Sequence, residues 1–336
     1  MKFFITGANG FIGSNLTKKL VELGHEVKAL ILKGTDESNL DEVQDKIEKV
    51  YGDVTDINSI RQALEGIDVV VHLAARVSDW GTEKQFMQLN YEGTKYVLDA
   101  AVEAGVKRFI FMSSLTVNGF EGFRNANEAT PYKPYNAYAR SKKAVEDLLN
   151  EYFAQGKIEI CIVRPGFTIF GPNDRLFSYE VYGRIVNGKA FPVVNKAKAF
   201  MCYSYVENLV DGLILVAEHP KAAGQTYIIS DGPIIPFKDF MAKMFAASEK
   251  KLKLMSIPSW LAYPAAGLLE GIYKLVRSQK GPLITLYRVK VIATDLGFSN
   301  AKIVEELGYQ AAVDLDEAFK RTYESFKRET EKAKSY

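Results

Sequence analysis

Tyr138-Ala139-Arg140-Ser141-Lys142 sets a phenol and an ammonium four residues apart. On a helix that spacing puts both side chains on one face. A phenol is a poor base at neutral pH, since its ordinary pKa is about 10. A cationic neighbour stabilises the phenolate and lowers that value. Tyr138 could then take a proton from an alcohol as it is oxidised, or give one to a ketone as it is reduced. A Tyr/Lys pair at this spacing is common and mostly structural. Here it follows Ser114 by 24 residues, and Ser114 closes the run Phe109-Ile110-Phe111-Met112-Ser113-Ser114. That run ends as a strand ends in an open α/β sheet, where ligands bind, and the Ser114 hydroxyl could hydrogen-bond the reacting oxygen.

Alcohol chemistry of this kind needs a hydride partner, and the N-terminus offers a place for one. Gly7, Gly10 and Gly13, within Gly7-Ala8-Asn9-Gly10-Phe11-Ile12-Gly13, lie between a first strand and a first helix. One glycine permits the tight turn, one lets backbone approach a pyrophosphate, and one lets helix and strand pack closely. The helix N-terminus then meets the phosphates with its free N–H groups. An oxidised nicotinamide ring adds a second cation near Tyr138, and Lys142 can bond the ribose that carries it. The second strand ends Ala29-Leu30-Ile31-Leu32-Lys33-Gly34. An acidic residue at such a tip favours NAD and a basic one NADP. The tip has no carboxylate and Lys33 adjoins it, which tilts the expectation between NADP and NAD towards NADP, although Asp36 and Glu37 follow.

The elements that must position these residues are legible as period. Short apolar runs over Phe3–Thr6, Val27–Leu32, Val69–Leu73, Arg108–Met112 and Ile158–Val163 read as buried parallel strands. Helical period occupies Phe11–Leu23, Ile57–Leu64, Glu83–Ala104 and Tyr138–Tyr152, with Asp56 as N-cap of the second. The alternation predicts an α/β, Rossmann-type, doubly wound parallel sheet over residues 1–165. After Pro165 it breaks down. Residues 166–336 are expected to form a smaller, irregular α+β substrate lobe, with some exchange of chain between the lobes. Its helices are expected near 176–187, 206–218, 237–247 and Asp314–Ser325, its strands near 200–205 and 226–230, and a frayed tail over Lys327–Tyr336.

The totals exclude other classes. The 336 residues carry a net charge of +2, which implies no nucleic-acid partner. Cys161 and Cys202 form no CxxC, and His25, His72 and His219 have no metal-ligand spacing, so thiols and imidazoles are expected to be structural and no metal is expected. The start lacks the features of a signal peptide, and a cytoplasmic location is the default. The apolar stretch Ile257–Leu269 spans thirteen residues without a charge, short of the roughly 18 to 20 that cross a bilayer. It reads as a pocket wall or lid, as a packed helix, or as a contact with a membrane surface.

Together the motifs resemble the extended short-chain dehydrogenase/reductases, of the NAD-dependent epimerase/dehydratase superfamily, over nearly the whole chain. The ordered set is Gly7/Gly10/Gly13, Gly52-Asp53-Val54-Thr55-Asp56, His72-Leu73-Ala74-Ala75, Asn90-Tyr91-Glu92-Gly93-Thr94, Ser113-Ser114, Tyr138/Lys142 and Arg164-Pro165-Gly166. The resemblance implies catalytic roles for Ser114, Tyr138 and Lys142. It implies cofactor contacts from Gly7, Asn9, Gly10, Phe11, Ile12, Gly13, Lys33, Asp53, Val54, Leu73, Ala74, Ala75, Asn90, Ser113, Tyr138, Lys142 and Pro165. Val77, Ser78, Thr116, Asn118, Phe167 and Tyr203 are the substrate-facing candidates.

Departures narrow the substrate. Nucleotide-sugar members usually place an asparagine soon after the Arg-Pro motif and an arginine before the stretch here written Tyr203–Asn208. This chain has Phe167 and Met201. The acidic residues of the dehydratase type are replaced by Leu115 and Thr116. The remainder is similar to the 3β-hydroxysteroid dehydrogenase-like branch, through Tyr203–Asn208, Phe298-Ser299-Asn300-Ala301-Lys302 and Glu306-Leu307-Gly308-Tyr309. The leading expectation is an NAD(P)(H)-dependent interconversion of hydroxyl and ketone on a fairly apolar small molecule: sterol-like, isoprenoid or alkyl β-keto. A nucleotide-sugar epimerase or reductase is the alternative, and a non-enzymatic cofactor-sensing protein the third reading. The family often pairs through the helices here at Glu83–Ala104 and Tyr138–Tyr152, which implies a homodimer.

Overall fold

The computed structural model describes residues 1–334. Seven parallel strands form the central sheet: β1 (Lys2–Thr6), β2 (Glu26–Ile31), β3 (Glu48–Tyr51), β4 (Val69–His72), β5 (Arg108–Met112), β6 (Glu159–Pro165) and β7 (Gln225–Ile229). Their spatial order is β7-β6-β5-β4-β1-β2-β3. The order reverses between β1 and β4, where Thr6 lies beside Leu30 on one side and His72 on the other. Such a reversal opens a crevice beyond the carboxyl ends of the strands, because the two connections leave on opposite faces.

The strands are apolar on both sides because both faces are covered. Phe3 and Ile5 point to one face, with Leu16 and Leu20 of α1 (Phe11–Glu22). Phe4 points to the other, with Val97 and Leu98 of α2 (Gly93–Glu103) and Val145 and Leu149 of α3 (Ala137–Ala154). Burying each such side chain contributes about 1.5–3 kcal/mol.

The chain crosses back after residue 165. Strand β7 pairs with β6 from Gln225↔Cys161 to Ile229↔Pro165. Helix α4 (Val206–Glu218) lays Leu209 and Leu213 on the first face beside α1. The rest of the second half is mixed. A small sheet orders Ile235–Pro236, Phe200–Met201, Leu296–Phe298 and Phe123–Ala126. An aromatic core joins Phe170, Tyr182, Tyr205, Phe240 of α5 (Phe237–Ala247) and Phe319.

Three expectations change. The helix expected over Glu83–Ala104 has three parts, an α-turn over Glu83–Phe86, a π segment over Met87–Glu92, then α2. A π segment adds a residue to the turn and re-aims its side chains; here the re-aimed residue is Asn90, which becomes buried. The apolar stretch divides into a strand, Leu254–Ile257, and α6 (Ser259–Leu275), which packs on α7 (Leu286–Ala293). The last helix, α8 (Leu315–Lys334), runs through most of the expected tail, with Tyr179, Tyr182 and Tyr323 packed against Phe326. Of the frayed tail, Ser335 and Tyr336 lie outside the described residues.

Candidate active site

Gly7 turns the chain out of β1 with φ +68°, a conformation other residues rarely adopt. A Cβ on Gly13 would sit 2.1 Å from the Gly7 carbonyl oxygen, so the first turn of α1 packs directly on the loop. No side chain caps α1 at Gly10, and its first turn holds no carboxylate. Uncapped N–H groups beside close-packed glycine backbone fit a dinucleotide pyrophosphate. Phe11 and Ile12 sit in that turn. The Asn9 amide instead donates to Thr35 Oγ1 (2.9 Å) and the Asp36 carbonyl (2.8 Å), tying the glycine loop to the tip of β2. Lys33 is exposed at that tip and makes no ion pair or hydrogen bond among the described residues. The Asp36 carboxylate is paired with Arg175 at 2.6 Å, and bonds from Ser38 and Arg175 hold it down at a pKa of about 2.

Asp53 accepts the amide and hydroxyl of Thr55 on one oxygen, both at 2.8 Å, leaving the other for a ligand. Val54 is buried against Gly93. Past β4 the amides of Leu73 and Ala74 donate to Thr6 Oγ1 at 3.1 Å, which fixes the backbone that Ala75 continues. Thr6 accepts those two bonds and donates its own proton to His72 Nδ1 (2.9 Å). His72 Nε2–H then donates to Thr94 Oγ1 (2.9 Å), and Thr94 donates to the Asn90 carbonyl. Burial and the nearby Lys142 charge push the His72 pKa down to about 3, so the ring is neutral.

Ser114, Tyr138 and Lys142 converge at the carboxyl ends of β5 and β6. Asn136 caps α3 by accepting the Ala139 amide at 2.8 Å, which starts the helix one residue before Tyr138. Ser114 caps the short turn Leu115–Asn118. Its Oγ accepts from the Thr116 amide (3.2 Å) and hydroxyl (2.9 Å) and lies near the Tyr138 phenol. Burial raises the Tyr138 pKa to about 12, with the neighbouring Ser114 hydroxyl opposing. Lys142 donates to the Met112 carbonyl at 2.7 Å and lies 4.5 Å from the Phe111 ring centroid. Burial pulls its pKa down to about 7, against the pull of Glu146.

Behind the lysine sits an enclosed ion pair. Arg164 clasps Glu146 with Nε at 3.0 Å and Nη2 at 2.5 Å, both side chains fully buried. Tyr132 adds its hydroxyl to the same carboxylate at 2.7 Å. The Ser113 hydroxyl also donates to Glu146, which corrects its expected cofactor role, since the side chain faces the protein interior. Asn90 accepts the Arg76 amide (2.7 Å) and donates to Ser141 Oγ (2.9 Å), joining the loop after β4 to α3. Its amide is therefore a brace for α3 and not a free cofactor ligand. Pro165 is buried at the end of β6.

The substrate-facing candidates divide. Phe167 stacks obliquely with Phe120 at 6.0 Å, and Phe120 meets Tyr287 of α7 edge-on at 5.7 Å. The Tyr287 hydroxyl lies near Tyr138, and burial raises its pKa. Val77 is exposed, and Ser78 is taken up by Trp80 backbone on both sides. Thr116 is buried and acts through Ser114. Asn118 is a correction: it is fully buried and donates to the carbonyls of Thr130 and Pro131. Tyr203 is another, since it packs into the aromatic core against Phe170 and Phe240. Alternating strands send neighbouring residues to opposite faces, and Tyr203 takes the inner one. Phe120 and Tyr287 were not anticipated. They carry no motif, and Tyr287 reaches the site from a helix far along the chain.

The pattern of the NAD dependent epimerase/dehydratase family matches residues 3–230. The 3beta-hydroxysteroid-dehydrogenase/decarboxylase isoform 1 of Arabidopsis thaliana is 30% identical, over 96% of this chain and 79% of its own. The 3-beta-hydroxysteroid dehydrogenase of Mycolicibacterium neoaurum is 30% identical, over 94% of this chain and 89% of its own. Among solved structures, gox2253 superposes with a TM-score of 0.80 at 25% identity, over 97% of this chain and 98% of its own.

Proposed function

This chain belongs to the NAD dependent epimerase/dehydratase family, as an extended short-chain dehydrogenase/reductase of the 3β-hydroxysteroid dehydrogenase-like branch, and from that premise we propose that it reduces a ketone, or oxidises the matching alcohol, on a sterol-like, isoprenoid or alkyl β-keto compound. Hydroxyl/keto oxidoreduction with a nicotinamide cofactor is common ground with its relatives. The apolar substrate goes beyond that common ground.

The observation that carries it is that the turn Leu115–Asn118, capped by Ser114, leads directly into Phe120, whose ring packs against Phe167 and Tyr287. Charged donors for a sugar diphosphate would sit badly against that aromatic wall, because an unpaired charge there would be desolvated. The names of the two relatives, both hydroxysteroid dehydrogenases, support the same class.

A bound nicotinamide supplies the hydride in one direction and takes it up in the other. Ser114 hydrogen-bonds the substrate oxygen and aligns it with Tyr138. In reduction the Tyr138 phenol gives its proton to that oxygen as negative charge develops there; in oxidation the phenolate takes the proton back. Lys142, charged by a proton from water, stabilises the phenolate. Asn90 and the His72–Thr94 chain hold α3 and the loop after β4 in place and touch no reacting atom. At the adenosine end, with Asp36 held by Arg175 and Lys33 free, NADP is the proposed preference over NAD. A homodimer through the helices of residues 83–104 and α3 belongs to the same proposal.

The test is a panel of hydroxysteroids, alkyl β-keto esters and isoprenoid ketones, each run with NADH and NADPH, beside UDP-sugars. Turnover of an apolar ketone or alcohol is expected. Epimerisation of a nucleotide sugar, with no turnover of the panel, would sink the proposal.

A further inference from the structure

Helix α6 is built inside out. Its buried side chains are Ala262 and Ala266, which meet Val289 of α7. Its large apolar side chains face outward. Trp260 is 75% exposed, Leu268 67% and Leu275 84%, with Leu261 and Ile272 also exposed. Positions 261, 268, 272 and 275 recur at helical spacing and form one stripe along the outer face. Just past the helix the stripe continues through Val276 and Leu283, the latter 89% exposed. Soluble monomers rarely show contiguous apolar surface of this kind without a use for it.

Charge identifies what covers it. Residues 250–293 carry eight lysines and arginines against one carboxylate, Glu270, in a chain whose total is +2. Glu270 is itself occupied, accepting the Leu286 amide at 2.7 Å and pairing with Lys274 at 3.2 Å. Lys274, Arg277 and Lys280 stand exposed at the end of the stripe. An apolar face rimmed by cations, with a tryptophan near one end, suits the boundary between acyl chains and anionic headgroups. Among the described residues no helix is long and apolar enough to cross a membrane, so such contact lies in the plane of the surface.

The helix is also fastened to the active-site side of the molecule. Trp80 donates from Nε1 to the Ser278 carbonyl at 3.0 Å and meets the Tyr273 ring edge-on. Asp79 holds Thr285 at 2.7 Å and Arg288 at 2.8 Å. Through Tyr287 the α6–α7 pair reaches Phe120.

We propose that the outer face of α6, with residues 276–284, docks on an anionic lipid bilayer surface, Trp260, Leu268, Ile272 and Leu275 entering the interface and Lys274, Arg277 and Lys280 meeting the headgroups. The reading does not depend on the substrate.

The experiment is flotation of the full chain with vesicles of phosphatidylcholine alone and of phosphatidylcholine mixed with phosphatidylglycerol. Flotation with the mixed vesicles is expected, weakening as salt rises, with a blue shift of tryptophan emission. Leu268→Ser with Leu275→Ser should lower the partition about tenfold or more, while melting temperature and cofactor affinity stay as in the parent. Lys274→Gln, Arg277→Gln and Lys280→Gln together should abolish the preference for anionic vesicles. Failure to float with either vesicle overturns the proposal, as does a double-serine variant that floats like the parent. Light scattering covers the other occupant: if the double-serine variant turns a dimer into a monomer and the parent ignores vesicles, a second copy covers the face.

Discussion

The Thr116 hydroxyl donates to Ser114 Oγ across 2.9 Å, and the Thr116 amide approaches the same oxygen at 3.2 Å. With both donors in place, the Ser114 proton is directed away from its own turn and towards Tyr138. Thr116→Val keeps the shape and removes the donor hydroxyl. We expect kcat to fall about tenfold, one hydrogen bond's worth, with cofactor affinity unchanged in a fluorescence titration. An unchanged kcat would mean that Ser114 needs no such orientation.

Tyr138→Phe removes the transferable proton and little else. Turnover should fall about a hundredfold to ten-thousandfold, while cofactor binds as in the parent. A variant that still turns over at more than a tenth of the parent rate would displace Tyr138 from its role.

The two buried pKa shifts run in opposite senses and give the pH profile a direction. Before cofactor binds, burial holds Tyr138 as phenol, near 12, and brings Lys142 to about 7. The acid form of Tyr138 is therefore the resting form at neutral pH. Ketone reduction should be fastest below neutrality and decline as pH rises through about 7, where Lys142 loses its proton. Alcohol oxidation, which needs phenolate, should climb with alkalinity. Initial rates in both directions across the same buffers would read this out; parallel profiles would contradict it.

His72 gives a stability prediction with a definite sign. Its folded pKa is pushed down to about 3, against about 6.5 in an unfolded chain. Its contribution is present above the unfolded value and lost as pH falls towards the folded one, because the unfolded chain binds the proton first. Urea unfolding should lose up to about 1.4 kcal/mol per pH unit from this group below pH 6. His72→Gln should be less stable overall, with a slope shallower by about one proton; equal slopes would refute the assignment.

Glu146→Gln leaves the Arg164 charge enclosed with no counter-charge. Removing one partner of a buried pair costs about 3–5 kcal/mol, which a urea melt would detect. Glu146 also holds the Lys142 pKa up. Loss of its charge should move the alkaline decline of ketone reduction to lower pH, a shift that destabilisation alone does not produce.

The amino-acid sequence determined the parts of this protein that rest on local geometry. Glycine spacing between a strand and a helix marks the phosphate loop whatever surrounds it, and Gly13 indeed sits where a Cβ would strike Gly7. A four-residue interval on a helix places Tyr138 and Lys142 on one face, and short continuous apolar runs mark strands covered on both sides. Tertiary structure decided where irregular segments point and what distant elements bring. Thr116, Asn118 and Asn90 lie in a tight turn and a π segment, where side-chain direction follows from packing across the molecule and has no period to read. Tyr203 turned into an aromatic core assembled from Phe170, Phe240 and Phe319, contacts made by residues far apart in the chain. Strand β7 looked like part of the second lobe, yet it completes the first sheet, because the open edge of β6 offers its unpaired backbone groups a parallel partner. Tyr287 reached the active site for the same kind of reason: its position follows from how α7 packs beneath α6, and no local pattern encodes that.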